Sequence, residues 1–305
     1  MWDRKHFLTL YDLSRDDILR LVERGLDLKK KHESGSLPTL LEGYSLAMVF
    51  RKPSLRTRMS FEMAMVGLGG HALYVSDEEI KLGRREAVCD VARVVSRYVD
   101  IIMIRTFEQG EVEELARYAS VPVINGLTDL YHPCQILGDI LTIVEKKGKI
   151  EGLKVAYIGD GNNIAHSWIN AASKLDFTLS LGLAKGYEPD SSILERARQD
   201  GAKIEISYDP HQAVKDADVI YTDVWASMGK EAERERRMRD LGHLQVNSDL
   251  VKSASPQAIV MHCLPAHRGE EITDEVIDST QSVVYDEAEN RMHIQRAIIL
   301  ELVGK

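Results

Sequence analysis

Short apolar runs rich in β-branched residues alternate along the chain with longer segments whose apolar positions recur every three or four residues. Ser45–Phe50, His71–Val75, Ile101–Arg105 and Val121–Asn125 predict strands, and Arg56–Leu68, Glu86–Tyr98 and Glu111–Tyr118 predict the helices between them. A second series of runs begins at Lys154–Ile158 and continues through Thr178–Leu183, Lys203–Ser207, Val219–Thr222, Ile259–His262 and Ser282–Asp286. Strand–helix alternation of this kind implies an α/β chain of two domains, each a mainly parallel β-sheet flanked by helices. A helical pattern over Gln135–Lys147, stopped by the polar Lys146-Lys147-Gly148-Lys149, joins them, with Gly148 suited to the C-cap. The boundaries predicted are 1–140 and 141–288, with a C-terminal helix of about 289–305 packing back on the first domain. No internal repeat or low-complexity tract interrupts the series.

Composition narrows the class. A chain of 305 residues, 44% hydrophobic and 29% charged, is about twice a typical domain and can bury two cores. Its formal net charge of −9 argues against a nucleic-acid or anionic-membrane surface. The three cysteines, Cys89, Cys134 and Cys263, are odd in number and far apart, so neither a disulfide framework nor a paired-cysteine metal motif is expected. A reducing cytoplasm fits them, and no apolar run approaches the ~18 residues of a membrane span.

Against this acidic background Ser54-Leu55-Arg56-Thr57-Arg58-Met59-Ser60 stands out, placed where the first strand turns into a helix. Backbone N–H groups and the positive end of the helix dipole converge there. Ser54, Arg56, Thr57, Arg58 and Ser60 add hydroxyls and cations suited to a phosphate. In open parallel sheets ligands sit beyond the carboxyl ends of the strands, and those positions are polar throughout. They include Arg105-Thr106, His132-Pro133-Cys134-Gln135, Gly159-Asp160-Gly161-Asn162-Asn163, Asp223 to Gly229 and His262-Cys263-Leu264-Pro265, all expected to face an interdomain cleft.

Ser-x-Arg-Thr-Arg, His-Pro-x-Gln, Asp-x-x-x-Ser-Met-Gly and His-Cys-Leu-Pro, in this order and closed by Glu287-Ala288-Glu289-Asn290-Arg291, resemble the aspartate/ornithine carbamoyltransferase family, and its ornithine-using branch in particular. The resemblance covers nearly the whole chain. It implies transfer of a carbamoyl group from carbamoyl phosphate to an amine without metal or organic cofactor, by homotrimers or multiples of trimers with sites at subunit interfaces. It also implies that the first domain binds carbamoyl phosphate and the second ornithine. By the family pattern Ser54, Leu55, Arg56 and Thr57 take the phosphate, while Arg105, His132 and Thr57 approach the carbonyl oxygen. Gln135 takes the carbamoyl amide, and Lys81, Cys263, Leu264 and Arg291 complete that set. Asn163, Asp223, Ser227 and Met228 would hold ornithine, with Cys263 and the backbone of Leu264 beside the reacting amine.

Charge supports the acceptor. Ornithine presents a cationic tail and calls for a carboxylate such as Asp223, whereas aspartate would call for arginines and lysines. Two departures from the family pattern occur. Leu55 replaces a usual threonine, removing a hydroxyl worth ~0.5–1.5 kcal/mol and matching the N-acetylornithine-using branch. Lys81 stands where ornithine-specific relatives usually carry glutamine and aspartate-specific ones a lysine that reaches a neighbouring subunit. The alternatives are another amine acceptor, such as N-acetylornithine or aspartate, and a non-catalytic bilobal binding protein. A dinucleotide enzyme could claim Gly159-Asp160-Gly161, but Ile164 replaces the third glycine of that fingerprint.

Overall fold

The computed structural model describes residues 5–226 and 233–305. The chain forms two compact units, Met1–Leu141 with Glu289–Lys305, and Thr142–Ala288. The helices Pro133–Lys147 and Val284–Leu302 contain the points where the chain passes from one unit to the other.

The first unit is built on four parallel strands, β1 Ser45–Phe50, β2 His71–Ser76, β3 Ile101–Arg105 and β4 Val123–Leu127, in the order β2-β1-β3-β4. β1, β3 and β4 are buried along almost their whole length, and β1 and β3 read as the apolar runs such burial demands. A core of Ala47, Val49, Ile102, Ile104 and Val123 packs on Val91, Ala92, Val112 and Leu115 from the helices Val88–Val95 and Gln109–Tyr118. The register shifts between Ile104 and Arg105. β4 begins two residues later than the sequence pattern suggests, because Pro122 has no N–H to give to the ladder; its carbonyl accepts from Ile102 N–H at 2.9 Å. The pattern also passed over the helix Arg15–Glu33, which opens on a reciprocal cap between Ser14 and Asp17 and pairs Arg20 and Arg24 with Glu301.

The second unit carries five parallel strands, β5 Lys154–Gly159, β6 Thr178–Leu183, β7 Lys203–Ser207, β8 Val219–Thr222 and β9 Ile259–His262, ordered β7-β6-β5-β8-β9. The sheet order reverses direction at β5 and β8, the type of position where open α/β sheets bind ligands. Residues Ser282–Asp286 do not form the expected strand. Ser282 makes a single bridge to Val260, and at Val284 the backbone enters a 19-residue helix whose first turn holds Asp286 and Glu287, acidic groups suited to the positive end of the dipole. Among the described residues no helix is long and apolar enough to cross a membrane.

Candidate functional site

Each unit gathers polar residues just beyond the carboxyl ends of its strands. In the first, Ser54 leaves β1 with extended backbone and caps the helix Leu55–Gly67, its side chain accepting from Thr57 N–H at 3.3 Å. The Ser54 hydroxyl also lies 3.2 Å from Thr57 Oγ1, and Arg291 Nη2 donates to that same Thr57 oxygen at 2.9 Å. A cap, a buried hydroxyl and a buried guanidinium therefore meet at one helix N-terminus, whose opening N–H groups have no carbonyl of their own helix to bond. Not every expected donor points there. Arg58 lies over the Tyr74 ring at 4.4 Å and reaches Glu62, and the Ser60 hydroxyl donates to Thr57 O at 3.2 Å. Leu55 is 70% exposed, so its side chain is turned to the surface and only its backbone belongs to this corner.

Arg105 ends β3 and is buried, as are His132, Gln135 and Arg291. Burial pushes the His132 imidazole well below its ordinary pKa, and the charges of Arg291 and then Arg105 push it further. His132 is thus neutral at physiological pH and sits in the positive field of two guanidiniums. Gln135 Nε2 donates to Asp139 Oδ1 at 2.8 Å along the helix that follows His132. Lys81 is exposed, in the left-handed region at φ 43°, and closes the single turn Asp77–Ile80 with an N–H bond to Asp77 O. Sequence reasoning missed Lys52, a buried cation that pairs with Asp129 and lies 4.4 Å from the Phe107 ring centroid. It missed Arg51 as well, which joins Asp77 and Glu111. Both immediately precede the Ser54 motif, and basic residues directly after an apolar run were the available signal.

In the second unit the carboxyl ends of β5, β8 and β9 converge on Asp223. Its Oδ1 accepts from Val224 N–H at 2.8 Å and from the Cys263 thiol at 3.0 Å, and its Oδ2 accepts from Asn162 Nδ2 at 2.8 Å. Asn162 is the cap of the buried helix Asn163–Ala172, accepting from Ile164 and Ala165 N–H while Tyr157 OH donates to its Oδ1 at 3.2 Å. Both Asn162 and Asn163 lie in the stretch expected to face the cleft, with Asn163, the first residue of that helix, assigned to ornithine; the role found for Asn162 is to bond Asp223, and a capping asparagine after a glycine turn was the signal for it. Burial and then the charges of Asp160, Asp223 and Cys263 raise the Tyr157 hydroxyl well above its usual pKa, so it serves as a donor. Ser227 and Met228 lie outside the described residues.

Buried Arg237 follows that segment and donates to Asp160 Oδ2 at 2.8 Å, to Trp225 O at 3.0 Å and to Glu233 at 3.0 Å, tying chain on both sides of residues 227–232 to the β5 loop. His262 ends β9 with both ring nitrogens engaged, Nε2 to Glu271 at 2.9 Å and Nδ1 from Leu264 N–H at 2.9 Å. Asp223, His262 and Cys263 have potential metal-ligand atoms within 4.8 Å of one another, but those bonds already occupy the imidazole and the thiol. Gly161 does not face open space on its Cβ side. An added Cβ there would meet Pro189 N and Glu188 C and come within 2.5 Å of Pro189 Cα, so the glycine serves a close approach of the chain to itself.

Residues 5–145 match the family model described as the carbamoyl-phosphate-binding domain of aspartate/ornithine carbamoyltransferase, and residues 151–302 match that of its aspartate/ornithine-binding domain. The chain belongs to the aspartate/ornithine carbamoyltransferase family. Among its relatives, the ornithine carbamoyltransferase of Pyrococcus abyssi is 54% identical over 304 residues, 98% of this chain and 96% of that protein. That of Syntrophus aciditrophicus is 54% identical over 301 residues, 98% of this chain and all of that protein (100%). The solved ornithine carbamoyltransferase of Pyrococcus furiosus superposes with a TM-score of 0.94 at 53% identity, covering 97% of this chain and 96% of that one. Family membership accounts for a sheet pair with polar residues beyond both sets of strand ends, where the architecture alone would admit many chemistries.

Proposed function

We propose that the chain is an ornithine carbamoyltransferase that converts carbamoyl phosphate and L-ornithine to L-citrulline and phosphate. The δ-amine lone pair of ornithine attacks the carbamoyl carbon, forming C–N. The bond from carbon to the phosphate oxygen breaks, and the proton shed by the amine ends on the departing phosphate. Charge grows on the carbonyl oxygen and then on the phosphate, so donors aimed at both lower the barrier. The first unit supplies them. Ser54, Arg56, Thr57 and the Leu55 N–H take the phosphate, Thr57, Arg105 and neutral His132 take the carbonyl oxygen, and Gln135 takes the carbamoyl amide. Arg291, already on the Thr57 hydroxyl, holds that oxygen as a donor toward substrate.

The observation that carries the acceptor is Asp223, a buried carboxylate held from three directions by Asn162, Val224 N–H and Cys263. A fixed anion of this kind attracts a cationic amino acid and repels aspartate. Asn163, Ser227 and Met228 are assigned to the rest of ornithine, with Cys263 and the Leu264 backbone at the amine.

The chain works as a homotrimer or a multiple of trimers in the cytoplasm, with Lys81 reaching a neighbour's site. Supporting the assembly, Leu55, Met59, Met63 and Val66 form one stripe on the helix Leu55–Gly67, exposed by 70, 55, 41 and 53%, beside the sheet-edge strand β2. Supporting the compartment, Cys89, Cys134 and Cys263 form no disulfide with one another. An acceptor panel of ornithine, N-acetylornithine, aspartate, putrescine and lysine with carbamoyl phosphate tests the reading. Ornithine should exceed every other acceptor in kcat/KM by at least about 100-fold, the scale of a lost charged contact plus an unpaired buried carboxylate. A preference for any other member overturns it, and no turnover with any would leave a binding protein.

A further inference from the structure

Cys263 and Leu264, assigned above to the reacting amine, are held by a side chain that touches neither. We infer that Glu271 is a positioning residue, setting the tautomer and orientation of the His262 ring so that the ring fixes the Leu264 N–H and, with it, the loop carrying Cys263. This inference rests on the ornithine carbamoyltransferase reading and deepens it.

The tautomer follows from the hydrogen bonds. Leu264 N–H can only donate, so the His262 Nδ1 that receives it at 2.9 Å carries no proton. The neutral ring then has its proton on Nε2, which donates to Glu271 Oε1 at 2.9 Å. The same Oε1 accepts His267 N–H at 2.7 Å, closing the loop between residues 262 and 271 on one oxygen. Upstream, His262 N–H donates to Glu287 Oε2 at 2.9 Å, which fixes the backbone at the end of β9. Leu264 itself sits in the left-handed region at φ 54°, a conformation a branched side chain adopts only where its surroundings impose it. The His262 ring is part of what imposes it.

Burial argues that this arrangement is more than packing. Glu271 and His262 are fully enclosed, and Glu271 Oε2 has no hydrogen-bond partner among the described residues. A buried carboxylate so sparsely compensated is costly, and an apolar residue of similar size would fill the space more cheaply. What an apolar residue cannot do is accept the Nε2 proton. The arrangement parallels the way outer-shell acceptors orient histidines elsewhere, with the recipient here a backbone N–H.

The test compares Glu271→Gln, whose carbonyl can still accept both protons, with Glu271→Leu, which cannot. Carbamoyl phosphate binding by calorimetry and kcat/KM for ornithine are measured alongside the ring-nitrogen resonances of 15N-histidine protein, His262 being assigned by its loss in His262→Asn. Wild type should show a bare Nδ1 and a protonated Nε2. Glu271→Leu should lose about 10- to 100-fold in kcat/KM for ornithine, the range of outer-shell losses, with the carbamoyl phosphate dissociation constant within about threefold of wild type. Glu271→Gln should retain activity within about threefold. A role in folding alone would depress both substrates' parameters together and would not be rescued by Gln.

If Glu271→Leu does not fold, a histidine pair decides: His262→Asn places an acceptor near the Nδ1 position and should exceed His262→Gln, which reaches only toward Glu271. Equal activity in that pair overturns the inference. So does Glu271→Gln as impaired as Glu271→Leu, a folded Glu271→Leu within about threefold of wild type, or a wild-type ring protonated on Nδ1. If wild type makes no citrulline, the functional reading has failed, and the ring resonances still decide whether Glu271 sets the tautomer.

Discussion

Three histidines of the first unit should make this protein lose stability in mild acid, before its carboxylates titrate. His132 lies well below its ordinary 6.5 through burial and then through Arg291 and Arg105, and His6 falls to about 4 through burial and then Lys5. His293 also falls to about 4, where burial outweighs the opposing bond to Glu289 and Arg296 adds to the depression. The folded pKa is lowered in each case, so between pH 6.5 and 4 the unfolded chain binds protons that the folded chain refuses, and stability falls as pH falls. At pH 5.5 a histidine with an unfolded pKa of 6.5 and a much lower folded value costs about 1.4 kcal/mol, against less than about 0.1 kcal/mol at pH 7.5. His132 and His293 are buried and dominate the effect. His6 is only partly buried and is discounted to a fraction, so the sum is about 3 kcal/mol between pH 7.5 and 5.5, a large share of the ~5–15 kcal/mol typical of a folded protein. Urea unfolding at fixed protein concentration, followed by far-UV circular dichroism at the two pH values, reads this difference directly. His132→Asn should remove a clear part of it. Stabilities within about 0.5 kcal/mol of each other at the two pH values would refute the argument, since no other group is needed to produce the loss.

Arg56→Ala and Arg105→Ala should each weaken carbamoyl phosphate by roughly 10- to 100-fold, because charged hydrogen bonds are worth ~1.5–3 kcal/mol, whereas Leu55→Thr should change it by less than about tenfold; isothermal calorimetry compares the three. Asp223→Asn should abolish ornithine turnover while calorimetry still shows carbamoyl phosphate binding, the signature of a carboxylate that serves the acceptor alone. Gly161→Ala should lower the melting temperature by roughly 4–10 °C, because the new Cβ meets the Glu188–Pro189 backbone and overpacking costs about 1–3 kcal/mol or more. Differential scanning fluorimetry within about 1 °C of wild type would show that the backbone yields freely there.

How much of this was legible beforehand differs between strands and contacts, for physical reasons. Parallel strands buried on both faces must be continuous apolar runs, so β1, β3, β5 and β8 could be read within a residue or two. Ser282–Asp286 has the same composition locally, yet it begins a helix. Within it Val283 and Val284 are buried by tertiary packing that periodicity over five residues cannot register. The residues that begin a site at a helix N-terminus were likewise visible, because Ser54 must cap its helix wherever the chain folds. The direction taken by a long side chain is a different matter. Arg56 and Arg58 are two apart in one motif, but the latter is drawn to the Tyr74 ring and Glu62, and nothing local to the motif specifies that.

The residues hardest to foresee act through others. Asn162 and Asn163 are adjacent in the stretch expected to face the cleft, and only the turn after β5 decides that Asn162 reaches Asp223. Glu271 lies nine residues beyond His262 in a stretch that reads as a polar surface loop, and it is fully enclosed. A motif reports groups that meet the ligand, since their chemistry is set by it. The groups that hold them can be any donor or acceptor of suitable reach, placed wherever the fold brings the chain back, and the sequence carries no local mark of where that is. For this protein the practical consequence is that a variant at Glu271 or Arg237, neither of which belongs to the motifs, should disturb the acceptor half of the proposed reaction while the corner at Ser54 and Thr57 keeps its geometry.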